Sequence, residues 1–406
     1  MGEPLVIIGN GMAAARLAEE LTARSLGRYA IAVVGEEPRL AYNRVLLSSL
    51  LADEVTTAEL ELKSARWWRD RGVTLVYGCP AVAIETDIRR VRLANGVTLP
   101  YAKLVLATGS RPIRLPVPGA NLTGVLTFRD IADVEGLKRT GAGKRAVVVG
   151  GGLLGLEAAH GLAKAGAQVT LVHLMDRLME RQLDVRAAAM LQAEVEARGV
   201  TVLTQAETAS IDGRSHVEAV VLRDGRRLAA DMVVFAIGIR PNVELARTAD
   251  LAIDRGIVID DGLAASRAGI FAIGECAEHK RTCYGLVEPA YEQARVLARR
   301  LAGEDVHYTG SVLATNLKVS GVNVFSAGDF LGRAGAEEIV LTDPGLNVYK
   351  KLVIADDRLV GVVLFGDTID RPWYLDLIRS GAPIAAIRHH LAFGRVLAEA
   401  TEPMAA

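Results

Sequence analysis

"RAVVVGGGLLGLEAAHGL", residues 145–162, is an apolar run, a glycine-rich turn and an amphipathic stretch, and it repeats the pattern of "PLVIIGNGMAAARLAEEL" at 4–21. Short apolar runs closed by glycine, such as "LVIIG" at 5–9, read as buried parallel strands, each followed by a helix that packs back on it. The glycines are spaced Gly9-x-Gly11-x-x-Ala14 in the first copy and Gly150-x-Gly152-x-x-Gly155 in the second. The first glycine of such a triplet permits a sharp turn, the second lets backbone approach a pyrophosphate, and the small third residue lets helix and strand pack closely. The helix N-terminus adds unpaired N–H groups for the phosphate charge. Two such turns in one chain predict two dinucleotide sites.

The duplication extends beyond the glycines. "KLVLATGSRP" at 103–112 is echoed by "DMVVFAIGIRP" at 231–241, so each unit ends in an apolar strand followed by A-x-G-x-R-P. A third variant, "GIFAIGECA" at 269–277, has no glycine turn of its own and is expected to return to an existing sheet. The domains are therefore expected at 1–115 with 243–310, at 116–242, and at 311–406. The last region carries "NVYKKLVIAD", "RLVGVVLFGD" and "RPWYLDLIRSG", the pattern of a small α+β domain. The strand after the first turn, "YAIAVVG" at 29–35, ends in Glu36 and Glu37, where a carboxylate would bond an adenosine ribose. After the second turn, "AQVTLVHL" puts His173 at that position with Arg177 close by, which leaves the choice between NADH and NADPH open.

Half of the 406 residues are hydrophobic, and 47 Lys plus Arg balance 48 Asp plus Glu. Sizeable cores are expected, and no basic stripe marks a nucleic-acid surface. No run approaches the roughly 18 apolar residues of a membrane span, and no leader pattern precedes the first strand, so a cytoplasmic location and no membrane partner are expected. Cys79, Cys276 and Cys283 lack the paired spacing of a zinc or iron–sulfur site, and "RHH" at 388–390 has no carboxylate or cysteine nearby, so no metal is assigned.

Taken in order, Gly9 to Ala14, "ATG" at 107–109, Gly150 to Gly155 and "FAIGE" at 271–275 resemble the two-dinucleotide FAD/NAD(P)H oxidoreductase family. That resemblance implies an α/β fold of two Rossmann-like dinucleotide-binding domains, three-layer ββα and glutathione-reductase-like, with a small α+β C-terminal domain. It implies FAD in the first unit, contacting Gly9, Gly11, Met12, Ala13, Ala14, Glu36, Arg44, Ser48, Ser49, Ala81, Ala107, Thr108, Gly109, Arg129, Gly274, Glu275 and Val287. NADH or NADPH is implied in the second, contacting Gly150, Gly152, Leu153, Leu154, Gly155, His173, Arg177 and Gly238. By the same resemblance Glu157 lies near the nicotinamide and, with Ser49, is a candidate catalytic residue; charge complementarity with the helix N-terminus is the alternative for Glu157.

Thiol-dependent members of this fold need a reactive cysteine soon after the second strand, and the first cysteine here is Cys79. Ferredoxin and rubredoxin reductases carry Y-x-R-P-x-L-S-K; this chain keeps Tyr42, Arg44, Leu47 and Ser48 but has Ser49 in place of the lysine. That serine version, with "HLMDRLMERQLD" and "LNVYKKLVI", is similar to the flavoprotein portion of assimilatory NAD(P)H nitrite reductase and to electron-transfer subunits of assimilatory nitrate reductase. The resemblance implies an electron-transfer reductase whose partner holds an iron–sulfur or other one-electron centre, and it allows a homodimer. Without the cysteine-rich domains of the nitrite reductases, the chain is expected not to reduce nitrite alone. Alternatives are a ferredoxin, rubredoxin or Rieske-oxygenase-component reductase and, from another class, a flavin-binding, redox-regulated interaction protein. Cys276 and Cys283 read as a redox pair or as ordinary loop residues, and "ARWWRDRG" at 65–72 as a partner-docking surface or as a packed helix.

Overall fold

The structure is a computed structural model that describes residues 2–25, 27–141, 143–319 and 322–400. Two five-stranded parallel sheets organise it. The first has the order Ile270–Ala272, Lys103–Leu106, Glu3–Ile8, Tyr29–Val34, Thr74–Val76. The second has the order Thr201–Leu203, Gln168–Val172, Arg145–Val149, Met232–Phe235, Val125–Thr127. In each sheet the strand leading into a glycine turn is the central one, where the strand order reverses. Chains leave that point to opposite sides, which opens a crevice at the carboxyl ends of the strands.

The inner residues of the central strands are apolar because both sheet faces are covered: Leu5, Ile7 and Val148 are fully buried. The helix Met12–Arg24 buries Ala14, Ala15, Leu17, Ala18 and Leu21, a stripe of helical period, and the helix Val287–Leu301 runs against it. Burying Leu17 and Leu21 contributes roughly 2 kcal/mol each. The "GIFAIG" strand joins the first sheet as expected, with Ile270 opposite Leu104. The two R-P repeats pair with each other: Ser110–Pro112 and Ile239–Pro241 form an antiparallel ribbon, Pro241 opposite Ser110. That ribbon ties the two units together.

Residues after 310 build a five-stranded antiparallel sheet in the order Ala314–Val319, Val322–Gly328, Arg358–Phe365, Val348–Ala355, Glu337–Asp343. Its one face packs on the helix Arg371–Ser380 through Leu352, Val362, Leu364, Trp373 and Tyr374. The other face, with Val324, Tyr349, Val363 and Phe365, shares an apolar cluster with Leu51, Leu156 and Ala159. This third unit therefore presses on the helix that follows the second glycine turn. Among the described residues no helix is long and apolar enough to cross a membrane, and no cluster of metal-ligating side chains is present.

Candidate functional site

Each glycine of the two turns has a separate spatial reason. Gly9 and Gly150 have φ of +111° and +120°, and a Cβ there would overlap the carbonyl oxygens of Ala107 and Ala236. These turns press on the neighbouring strand and are closed to a side chain. Gly155 abuts the Gly150 carbonyl and Ala14 is fully buried, as close helix-on-strand packing requires. At Gly11 and Gly152, by contrast, a Cβ would meet nothing within 4 Å. Both are helix N-caps without a side-chain cap, and neither helix has an acidic residue in its first turn. Open space and unpaired N–H groups at these two points fit a pyrophosphate at each turn.

Around the first turn, several distant segments converge. Gly274, at φ +79°, brings its Cα to Ala13, where an added Cβ would lie 3.2 Å from the Ala13 Cβ. The Gln293 Oε1 accepts the Gly274 N–H at 2.7 Å and fixes that bend. Beyond it, the Glu275 carboxylate pairs with the Arg129 guanidinium and accepts the Ser110 hydroxyl at 2.7 Å. The Arg129 carbonyl in turn accepts from Arg44 at 3.0 Å, and Arg44 pairs with Glu37. Glu37 also accepts the Tyr42 hydroxyl at 2.8 Å, while Glu36 is exposed at the strand end. Thr108 and Asn242 exchange hydrogen bonds, each 2.9 Å, across the ribbon. Ala81 begins the strand Ala81–Glu85 and Val287 begins its helix.

Ser48 and Ser49 lie on the short helix Leu47–Leu51. Its Leu51 fits a notch at Gly161 of the second-turn helix Leu153–Lys164, where a Cβ would come within 2.8 Å of Leu51. Glu54 is held below the usual carboxylate range by Lys164, whose Nζ is 2.5 Å away, and then by the Ser49 hydroxyl. Ser49 thus engages the far end of the nucleotide helix through Glu54. Glu157 is partly buried on the same helix, and burial pushes its carboxyl up to about 7.

His173 does not stand free at its strand end. It is 8% exposed, its Nδ1 accepts the Gly151 N–H at 3.0 Å, and its Nε2 lies 3.1 Å from Glu180 Oε2. Arg177 pairs with Asp176 and reaches the Leu183 carbonyl at 3.4 Å. Gly238, at φ +117°, precedes the ribbon strand.

Other candidates resolve structurally. Cys276 is fully buried, with its Sγ against the Leu106 and Ile273 carbonyls, and burial raises its pKa. Burial pushes the Cys283 thiol up to about 11. Neither is an activated nucleophile. Trp68 is buried and Trp67 lies under Arg71, 4.3 Å from the ring centroid, so "ARWWRDRG" is a packed helix, Ala65–Asp70.

Residues 3–294 match the family model described as pyridine nucleotide-disulphide oxidoreductase. The chain belongs to this family. Residues 314–382 match the rubredoxin NAD+ reductase C-terminal domain. The chain is 42% identical over 383 residues to a nitrite reductase [NAD(P)H] of Bacillus subtilis (strain 168), covering 94% of this chain and 48% of that protein. It is 42% identical over 374 residues to the assimilatory nitrate reductase electron transfer subunit of the same organism, covering 92% and 48%. The chain thus spans about half the length of these relatives. Among solved structures it resembles the reductase in a covalent putidaredoxin reductase–putidaredoxin complex, with TM-score 0.86, 29% identity and 94% of each chain covered. The family is one of FAD- and NAD(P)H-dependent reductases, and the two turns fit those two groups.

Sequence alone gave no role to Ser110, Glu180, Asn242 and Gln293. Ser110 stood within the quoted "KLVLATGSRP". Glu180 stood within the quoted "HLMDRLMERQLD", while Asn242 and Gln293 are brought in from other segments.

Proposed function

We propose that this chain is an electron-transfer reductase that takes electrons from NAD(P)H through FAD to a separate redox partner, a component of assimilatory nitrate or nitrite reduction. The observation that carries the reading is the pair of open, uncapped glycine turns at Gly11 and Gly152, set at the switch points of two sheets joined by one ribbon. The proposed units are 1–115 with 243–310 for FAD, 116–242 for NAD(P)H, and 311–406 as the covering domain.

FAD, when bound, supplies acceptance of a hydride and release of single electrons. The chain's residues orient and shield it. Gly11, Met12 and Ala13 would receive the pyrophosphate on a turn shaped by Gly9 and Ala14, and Glu275, neutralised by Arg129, would help hold the flavin. Arg44, anchored by Glu37, keeps the Arg129 segment in place. Glu157 brings a carboxyl that is half protonated near neutral pH to the nucleotide helix, where it can hold a proton at the nicotinamide side. No nucleophile is required, which accords with thiols that are buried or raised in pKa.

A second reading, reduction of a ferredoxin-type protein, is favoured by the likeness to putidaredoxin reductase. One experiment separates the two. The FAD-loaded chain is supplied with NADH or NADPH and, in turn, with an assimilatory nitrate reductase catalytic subunit and with a [2Fe–2S] ferredoxin. Nitrate-dependent nucleotide oxidation supports the first reading. Ferredoxin reduction without it supports the second, and no oxidation with any acceptor contradicts both.

A further inference from the structure

Resting on the assignment of the second turn to the nicotinamide nucleotide, we propose that His173 is a positioning residue: its Nδ1 holds the Gly151 N–H, and protonation of the ring releases the turn and weakens nucleotide binding. The ring sits directly beneath the turn. A Cβ on Gly151 would fall 2.7 Å from His173 Cγ and 2.7 Å from Leu178 Cδ2. The Gly151 carbonyl accepts the Met179 N–H at 3.0 Å, so the loop after His173 grips both backbone polar groups of this one residue.

The hydrogen bonds define the tautomer. A backbone N–H can only donate, so Nδ1 is the acceptor and the proton is on Nε2, directed at Glu180. Imidazolium has no acceptor. Protonation would set an N–H at Nδ1 against the Gly151 N–H and leave that buried donor unpaired, in the residue between Gly150 and Gly152. The charged groups at the ring are Glu180 and, behind it, Arg181, whose Nε is 3.8 Å from the other Glu180 oxygen. The glycine turn contributes backbone alone. So does the adjoining strand, through His173 N–H to the Leu203 carbonyl at 2.8 Å. With its ring turned inward, His173 acts through Gly151 and leaves the ribose to the exposed residues that follow it.

The test uses the FAD-loaded chain in anaerobic stopped flow, with apparent Kd for NADH and NADPH taken from the concentration dependence of flavin reduction. His173→Asn places an oxygen near the Nδ1 position and cannot protonate; His173→Leu removes the acceptor. Wild-type Kd should rise about tenfold as pH falls from about 8 to about 5.5. His173→Asn should bind within about threefold of wild type at the upper pH and show no such rise. His173→Leu should bind about tenfold more weakly across the range, with the limiting reduction rate unchanged. Wild-type affinity in His173→Leu, or the wild-type pH profile in His173→Asn, overturns the proposal. If His173→Leu fails to retain FAD, the His173→Asn profile decides alone. Wild-type flavin that neither nucleotide reduces overturns the site assignment, and the inference with it; reduction with His173-independent Kd overturns only the inference.

Discussion

Arg129 and Glu275, 146 residues apart in sequence, form an ion pair whose carboxylate also accepts the Ser110 hydroxyl. Arg129 lies just before the helix Ile131–Gly141 and Glu275 follows the returning strand of the first sheet, so the pair is a clasp between the two dinucleotide units. Both side chains are less than one-fifth exposed, at 17% and 18%. Removing one partner strands a charge there. Arg129→Met should destabilise the apoprotein by roughly 1–3 kcal/mol, and adding Glu275→Gln should restore part of that loss. Denaturant unfolding of the single and double variants measures it; a double variant less stable than Arg129→Met would reject the clasp.

The open glycines give clean binding variants. Gly11 and Gly152 have φ of −102° and −83°, which any residue adopts, and nothing lies within 4 Å of an added Cβ. Gly11→Val should fold and lose FAD, while Gly152→Val should keep FAD and bind NAD(P)H at least about tenfold more weakly, because the side chain occupies the phosphate's place. Flavin absorbance per chain and the KM for nucleotide distinguish them. Full flavin content in Gly11→Val would show that the first turn does not hold the pyrophosphate.

Glu157 sets a pH dependence of stability. Its folded-state pKa is raised to about 7 from 4.5, so between those values the unfolded chain has lost a proton that the native chain keeps. The native state therefore binds more protons, and apoprotein stability falls as pH rises through this window, by roughly 2–3 kcal/mol from this group. Glu157→Gln should flatten that slope. Equal slopes in the two proteins, measured by unfolding at several pH values, would remove Glu157 as its source.

The thiols Cys276 and Cys283 should be silent. Their raised pKa values disfavour thiolate at neutral pH. In the native protein, alkylation of both should be far slower than of a free thiol, and Cys276→Ala with Cys283→Ala should change dye reduction less than about twofold. Loss of turnover in that double variant would restore a redox role.

What was legible in the sequence follows from local pattern. Continuous apolar runs with glycine punctuation mark parallel strands and turns, and the "GIFAIG" echo placed its strand in the first sheet. Long-range pairing was not legible. The ribbon between Ser110–Pro112 and Ile239–Pro241 joins two short segments with no alternating pattern. In the C-terminal sheet, "NVYKKLVIAD" and "RLVGVVLFGD" showed as strands, whereas Glu337–Asp343 carries charge on an exposed edge. At the site, composition could not tell Glu36 from Glu37, because the choice depends on where Arg44 and Tyr42 arrive after the next turn. His173 was visible as a departure from an acid at the strand end, but its inward rotation depends on Glu180 and the fold of its loop.

Whether electrons pass from nucleotide to flavin to a one-electron acceptor within this chain is tested most directly by double-mixing anaerobic stopped flow. The FAD-loaded protein is mixed first with NADH or NADPH and then with an oxidised one-electron acceptor, while flavin absorbance is followed. The account predicts rapid bleaching by at least one nucleotide, then recovery of the oxidised flavin with two equivalents of acceptor reduced per flavin. Flavin that stays oxidised with both nucleotides, or reduced flavin that no one-electron acceptor reoxidises, would contradict it.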